Sequence, residues 1–193
     1  MESACDKNFR QLSTDLTVEA HIETEISKTE TQNVFATVEG TDPVLKDEYI
    51  LLSAHYDHLG KAESHAGLDS IYNGAWDNAS GSASILALAE AVAKNPPKRS
   101  VIILHCAAEE SGILGSQYFV NRPPVQLKKI IANINIDMPT VFGHTLDLSA
   151  IGVNSNSIGD DLKHLAKKII VRDTQSLIIN DDPNPNAGLF YRS

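Results

Sequence analysis

The feature that most constrains this chain is a repeated one: apolar runs of strand length that stop on side chains able to bind cations. Residues 49–55 (YILLSAH), 100–106 (SVIILHC) and 129–136 (KIIANINI) each read as a strand with an apolar, buried middle. Between the first two, Ile85, Leu86, Leu88, Ala89 and Val92 share one face of a predicted helix over 80–94, which Pro96-Pro97 ends. Between the second and third, a short helix is predicted at about 113–121, before Pro123-Pro124. Strands alternating with helices predict an α/β domain whose sheet is covered on both faces. Alternation adds strands at 16–26 and 33–39 and a further one at 145–151, a helix is predicted over 157–170, and a last short strand over 176–179. At 193 residues the chain is long enough for one such domain with a sizeable core. Residues 1–15 read as a loose polar segment and 16–193 as the domain.

In open α/β sheets, ligands bind beyond the carboxyl ends of the strands. The predicted strands of this chain lead into His55 and Asp57, then Asp77, then Glu109 and Glu110, then Asp137. Carboxylates gathered at one rim repel each other unless cations neutralise them, so bound metal is the economical reading. The net charge of −9 fits that reading and equally fits a surplus of solubilising surface charge. It leaves no basic excess for a nucleic-acid or acidic-membrane partner. No apolar run reaches the length of a membrane span. Met1 to Arg10 lacks the apolar core of an export signal, so either the protein is cytoplasmic or the signal lies outside this chain. Of two cysteines, Cys106 reads as a buried thiol on a strand, and no disulfide framework is visible.

Each motif taken alone has an ordinary explanation. His55 and Asp57, two apart, share a face of extended backbone, so one can bind metal while the other fixes the imidazole; an ordinary strand end looks the same. Asp77 precedes a helix, where it can cap the helix or bridge two metals. Small Ala79 and Gly81 would let the backbone approach closely there. Glu109 and Glu110 point opposite ways in extended backbone, so one can ligate while the other stands over the attacking water; a solvated acidic pair is the alternative. Asp137 closes an apolar strand, as a ligand or as a turn former before Met138-Pro139. Segment 58–76, with Gly60, Gly67 and Gly74, has no periodicity and the length of a functional loop. Trp76 lines a cleft or packs in the core, and His58 reads as a loop histidine. The motifs share their order and their strand-end placement.

HYDHLG (55–60), YNGAWDNASG (72–81), AEESGILGS (108–116) and NINIDM (133–138) together resemble the co-catalytic di-zinc aminopeptidases, metallopeptidase family 28, over roughly residues 30–193. The resemblance implies a three-layer α/β/α sandwich around a central mixed, mostly parallel sheet. It implies a zinc-dependent exopeptidase, an aminopeptidase acting on peptide or protein N-termini through a metal-bridging hydroxide. Carried over, His55 and Asp137 would hold one Zn2+, Glu110 the other, and Asp77 would bridge both. Glu109 would be the general base and Asp57 would orient His55. A cis peptide would come after the bridging residue, at Asp77-Asn78. The family draws a second-zinc histidine from just beyond a stretch that resembles Phe190-Tyr191-Arg192-Ser193. On that basis the last strand and helix are expected to be missing, the second zinc weakly held and this chain poorly active. None of His21, His58, His65, His105, His144 or His164 matches the family position. The resemblance also implies a secreted or periplasmic parent protein. Two rivals share the fold: a glutaminyl cyclase-like acyltransferase with one zinc, and a non-catalytic member serving as an interaction domain. The sequence holds no G-x-S-x-G elbow for a serine hydrolase.

Overall fold

The structure, a computed structural model, describes residues 16–62, 69–139, 143 and 145–180. It divides into two units, residues 1–30 and 31–193. In the first, residues 16–30 are exposed and carry no regular secondary structure. The strand expected at 16–26 does not form. Alternation makes a segment suitable for a half-buried strand, but the strand exists only when a neighbour satisfies its backbone groups.

The second unit is built on a four-stranded sheet. Its strands are β1 (Val34–Val38), β2 (Tyr49–His55), β3 (Ser100–Cys106) and β4 (Ile130–Asn135), in the order β1-β3-β2-β4. β2 runs parallel to both β3 and β4, while β1 pairs antiparallel with β3. The parallel register sets His55 beside Cys106, and Ser53 beside Asn135. Three strands therefore end at one rim, and the segments leaving them start side by side.

Helix α1 (Gly81–Lys94) connects β2 to β3, and α2 (Leu114–Asn121) lies between β3 and β4. The first crossover steps to one side of β2 and the second steps back across it. With a common right-handed sense, the two helices must take opposite faces. The packing agrees. Leu52, Ala54, Val101 and Ile103 pack with Ile85, Ala89 and Val92 of α1. Leu51, Ile102, Leu104 and Cys106 pack with Phe119 of α2. Alternate residues of β2 and β3 thus feed two cores, which is why both strands read as continuous apolar runs. Polarity rises along the α2 face toward the rim: Leu51 gives way to Ser53, whose hydroxyl lies 3.0 and 2.9 Å from the side-chain oxygens of Asn133 and Asn135, and then to His55.

The C-terminal part is built in smaller pieces. β5 (Asp147–Ser149) pairs with β8 (Ile178–Asn180), and β6 (Ile170–Arg172) with β7 (Gln175–Ser176), in two separate two-stranded sheets. Helix α3 (Ser157–Ala166) starts on Asn156, whose side-chain oxygen accepts from the Ile158 amide at 3.0 Å. It stops short of the expected residue 170, because β-branched Ile169-Ile170-Val171 turn to extended backbone instead. Residues 1–15 and Phe190–Ser193, both used in reading the sequence, lie outside the described residues. Among the described residues no helix is long and apolar enough to cross a membrane.

Candidate metal centre

The rim gathers side chains from four segments into two adjoining groups. His55, at the end of β2, is 4% exposed. Its Nε2 lies 3.2 Å from Asp77 Oδ1 and 3.3 Å from Asp137 Oδ1. His58, on the loop after β2, places Nδ1 2.8 Å from Glu110 Oε1 and 3.8 Å from Asp77 Oδ2. The two oxygens of Asp77 thus face different imidazoles. Within each of the groups His55/Asp77/Asp137 and His58/Asp77/Glu110, the ligand atoms lie within 4.8 Å of one another. Donors bound at about 2.0–2.1 Å to a tetrahedral zinc stand about 3.3–3.4 Å apart. The spacings around His55 match that edge, and those around His58 bracket it, so the donor sets fit zinc. His58, read from sequence as an ordinary loop histidine, is a member of the cluster. The signal for it was present: it comes directly after Asp57, at the point where the loop turns back over the rim.

Asp57 supports both groups from beneath. Its Oδ1 and Oδ2 accept the backbone N–H groups of Glu109 and Glu110 at 3.0 and 3.2 Å. That fixes the turn after β3, where Ala108 has positive φ. His55 Nδ1 donates to the Asp57 main-chain carbonyl at 3.1 Å, closer than the Asp57 carboxylate at 3.6 Å. In the neutral imidazole this leaves the Nε2 lone pair aimed at Asp77 and Asp137, the arrangement a metal-binding histidine needs.

Asn78, which sequence reading left unassigned, ties the bridging segment to β4. It is 1% exposed. Its Nδ2 donates to Ile136 O at 3.0 Å, and its Oδ1 accepts from Gly81 N at 3.0 Å and Met138 N at 3.1 Å. The peptide bond Asp77-Asn78 is cis. A Cβ on Gly81 would come within 2.2 Å of Asn78 Oδ1 and 2.5 Å of Ile136 O, so this position accepts no side chain. Asn78 therefore sets the distance between Asp77 and Asp137.

The electrostatics reflect the packing of acids around one imidazole. Burial alone would depress the pKa of His55; the adjacent Asp137, helped by Glu109 and Asp77, outweighs it and raises the value to about 9. A proton thus sits where the geometry fits a cation. Burial also raises the pKa of Glu109, with Glu110, Asp137 and Asp57 adding to the effect and His55 opposing it. Glu109, His55 and Asp137 line the polar end of a cavity of about 340 Å3 that runs over Leu51, Leu104 and Phe119. Burial, reinforced by Asp57, pushes the Cys106 thiol up to about 11. It stays protonated at neutral pH. Trp76 donates from Nε1 to Pro139 O at 2.9 Å.

A profile of Peptidase family M28 matches residues 33–188. An aminopeptidase of Pseudomonas aeruginosa is 35% identical over 127 residues, which are 64% of this chain and 21% of that protein. A solved leucine aminopeptidase precursor from Bacteroides thetaiotaomicron superposes with a TM-score of 0.57 at 26% identity, over 78% of this chain and 56% of that one. A glutaminyl cyclase from the same organism, bound to N-acetylhistamine, superposes with a TM-score of 0.55 at 25% identity, over 77% of this chain and 56% of that one. The chain spans about a fifth of the length of the Pseudomonas aminopeptidase that it matches.

Proposed function

Because the chain belongs to Peptidase family M28, we propose that it serves an aminopeptidase that removes N-terminal residues from peptides at a centre of two zinc ions. The observation that carries this reading is the placement of the two Asp77 oxygens, one toward His55 and the other toward His58. His55, Asp77 and Asp137 would hold one ion. Asp77 and Glu110 would hold the other. Zinc bound there polarises a carbonyl and makes a water molecule acidic enough to attack at neutral pH.

The chain's own residues supply the rest. Asp57 holds His55 in the tautomer that frees Nε2 and fixes the Glu109–Glu110 backbone. Glu109, whose burial strengthens its hold on a proton, takes one from the attacking water and passes it to the nitrogen of the leaving amine. Water adds to the carbonyl carbon, the C–N bond breaks, and an acid and an amine result.

Release of the chromophore from leucyl p-nitroanilide, dependent on added zinc, tests this reading. Zinc-dependent ammonia release from an N-terminal glutamine peptide, with no hydrolysis of the anilide, would replace it with acyl transfer. The likeness to the Bacteroides glutaminyl cyclase makes that the second reading.

A further inference from the structure

We infer that Ser82 and His105 form a hydrogen-bonded relay behind His55, and that His105 is a positioning residue for the His55 donor group. This rests on the metallopeptidase reading above and goes beyond it, because that reading uses neither side chain.

The relay starts where the ladder between β2 and β4 opens. In a parallel pair the bonds recur at every second residue of each strand. Ile136 N donates to Ser53 O at 2.9 Å, so the next rung would run from Met138 N to His55 O. Met138 N donates to Asn78 Oδ1 instead, and the His55 carbonyl accepts from the Ser82 hydroxyl at 3.0 Å. Ser82 stands in the first turn of α1. It thus holds the main chain of the residue whose side chain faces Asp77 and Asp137. A hydroxyl has one proton to donate. Ser82 gives it to His55 O, so in the 3.2 Å contact with His105 Nδ1 the imidazole is the donor. That fixes His105 as the Nδ1–H tautomer. His105 continues the face of β3 on which Val101 and Ile103 pack against α1. Its Nε2 is buried and has no hydrogen-bond partner among the described residues. Burial also holds its pKa below the ordinary histidine value, so the ring stays neutral at neutral pH. A buried nitrogen without a partner is destabilising. An aliphatic side chain would avoid that cost, but it would offer Ser82 no donor. What the imidazole contributes is orientation: it keeps the Ser82 proton turned toward His55 O.

Two measurements on the whole chain test the relay. In the metal-free protein with nitrogen-labelled histidine, the long-range proton–nitrogen spectrum should show the His105 proton on Nδ1. A proton on Nε2 overturns the inference. The second measurement sets cobalt(II) affinity, by calorimetry, against stability in urea. His105→Leu removes the donor together with the unpartnered nitrogen. It should bind the tighter of its cobalt ions ~10-fold more weakly, the lower end of what groups behind metal ligands contribute, while the metal-free protein is at least as stable as the unsubstituted one. Ser82→Ala should show the same loss of affinity. His105→Asn, whose side-chain N–H takes the place of Nδ1–H, should keep the affinity of the unsubstituted protein. A role in packing alone would move affinity and stability together and give no rescue by asparagine; that pattern overturns the inference. Unchanged affinity in both His105→Leu and Ser82→Ala also overturns it and leaves the metallopeptidase reading standing. An unsubstituted protein that binds no cobalt sinks both.

Discussion

The two donor groups share one carboxylate and differ in what holds their imidazoles. His55 is the last residue of a central strand, 4% exposed, with a main-chain acceptor behind it and two carboxylates at nearly equal distances in front. His58 stands on a loop, 21% exposed, with one carboxylate near and one farther off. The His55 group is the more buried and the more evenly spaced of the two. A preformed site loses less freedom when it is filled, so the His55 group should bind first and tighter. The comparison also separates the two donor groups from Glu109, which lines the same cavity as His55 and Asp137 without belonging to either group.

The sharpest way to break that separation is Glu109→Gln. Turnover should fall ~100- to 10,000-fold, the usual worth of a positioned general base, with zinc content unchanged by elemental analysis. A parallel loss of metal would make Glu109 a ligand after all. Asp77→Ala removes the shared group and should weaken the binding of both ions in a cobalt(II) titration followed by calorimetry by at least ~100-fold; if one ion is still bound at full strength, Asp77 serves a single ion. Asn78→Ala tests the link beneath. It leaves Ile136 O, Gly81 N and Met138 N without their buried partner, for a loss of about 2–4 kcal/mol by urea denaturation of the metal-free protein. It should weaken the His55 group more than the His58 group, because the Asp77–Asp137 spacing depends on it.

The smallest effect expected is that of pH. In the metal-free protein the pKa of His55 is raised to about 9, so below that value a metal must displace its proton. Affinity at the His55 group should therefore climb about tenfold per pH unit up to about pH 9 and then level off. Titrations that give a flat affinity over that range would mean that the proton lies elsewhere.

Much of this was legible without coordinates, and the reason lies in range. Strands at 49–55 and 100–106 announce themselves by apolar runs, and α1 by its period, because burial on a sheet or helix face imposes a local repeat. The acids at 57, 77, 109, 110 and 137 stood out because each lies just beyond such an element or just before the next. The same local rule misled at 16–26, where alternation finds no partner strand among the described residues, and at 167–170, where β-branched residues ended α3 early.

The sequence by itself determined which residues form the layers of this α/β domain and which acids crowd its rim, since both depend on neighbours a few positions away. Only the tertiary structure decided that Asp77 divides its oxygens between two imidazoles, that Asn78 locks the bridging segment to β4, and that His58 turns inward to meet Glu110, 52 residues further along the chain. Where a loop side chain points is fixed by the groups that close over it. Those groups arrive from distant strands whose alignment no local pattern records.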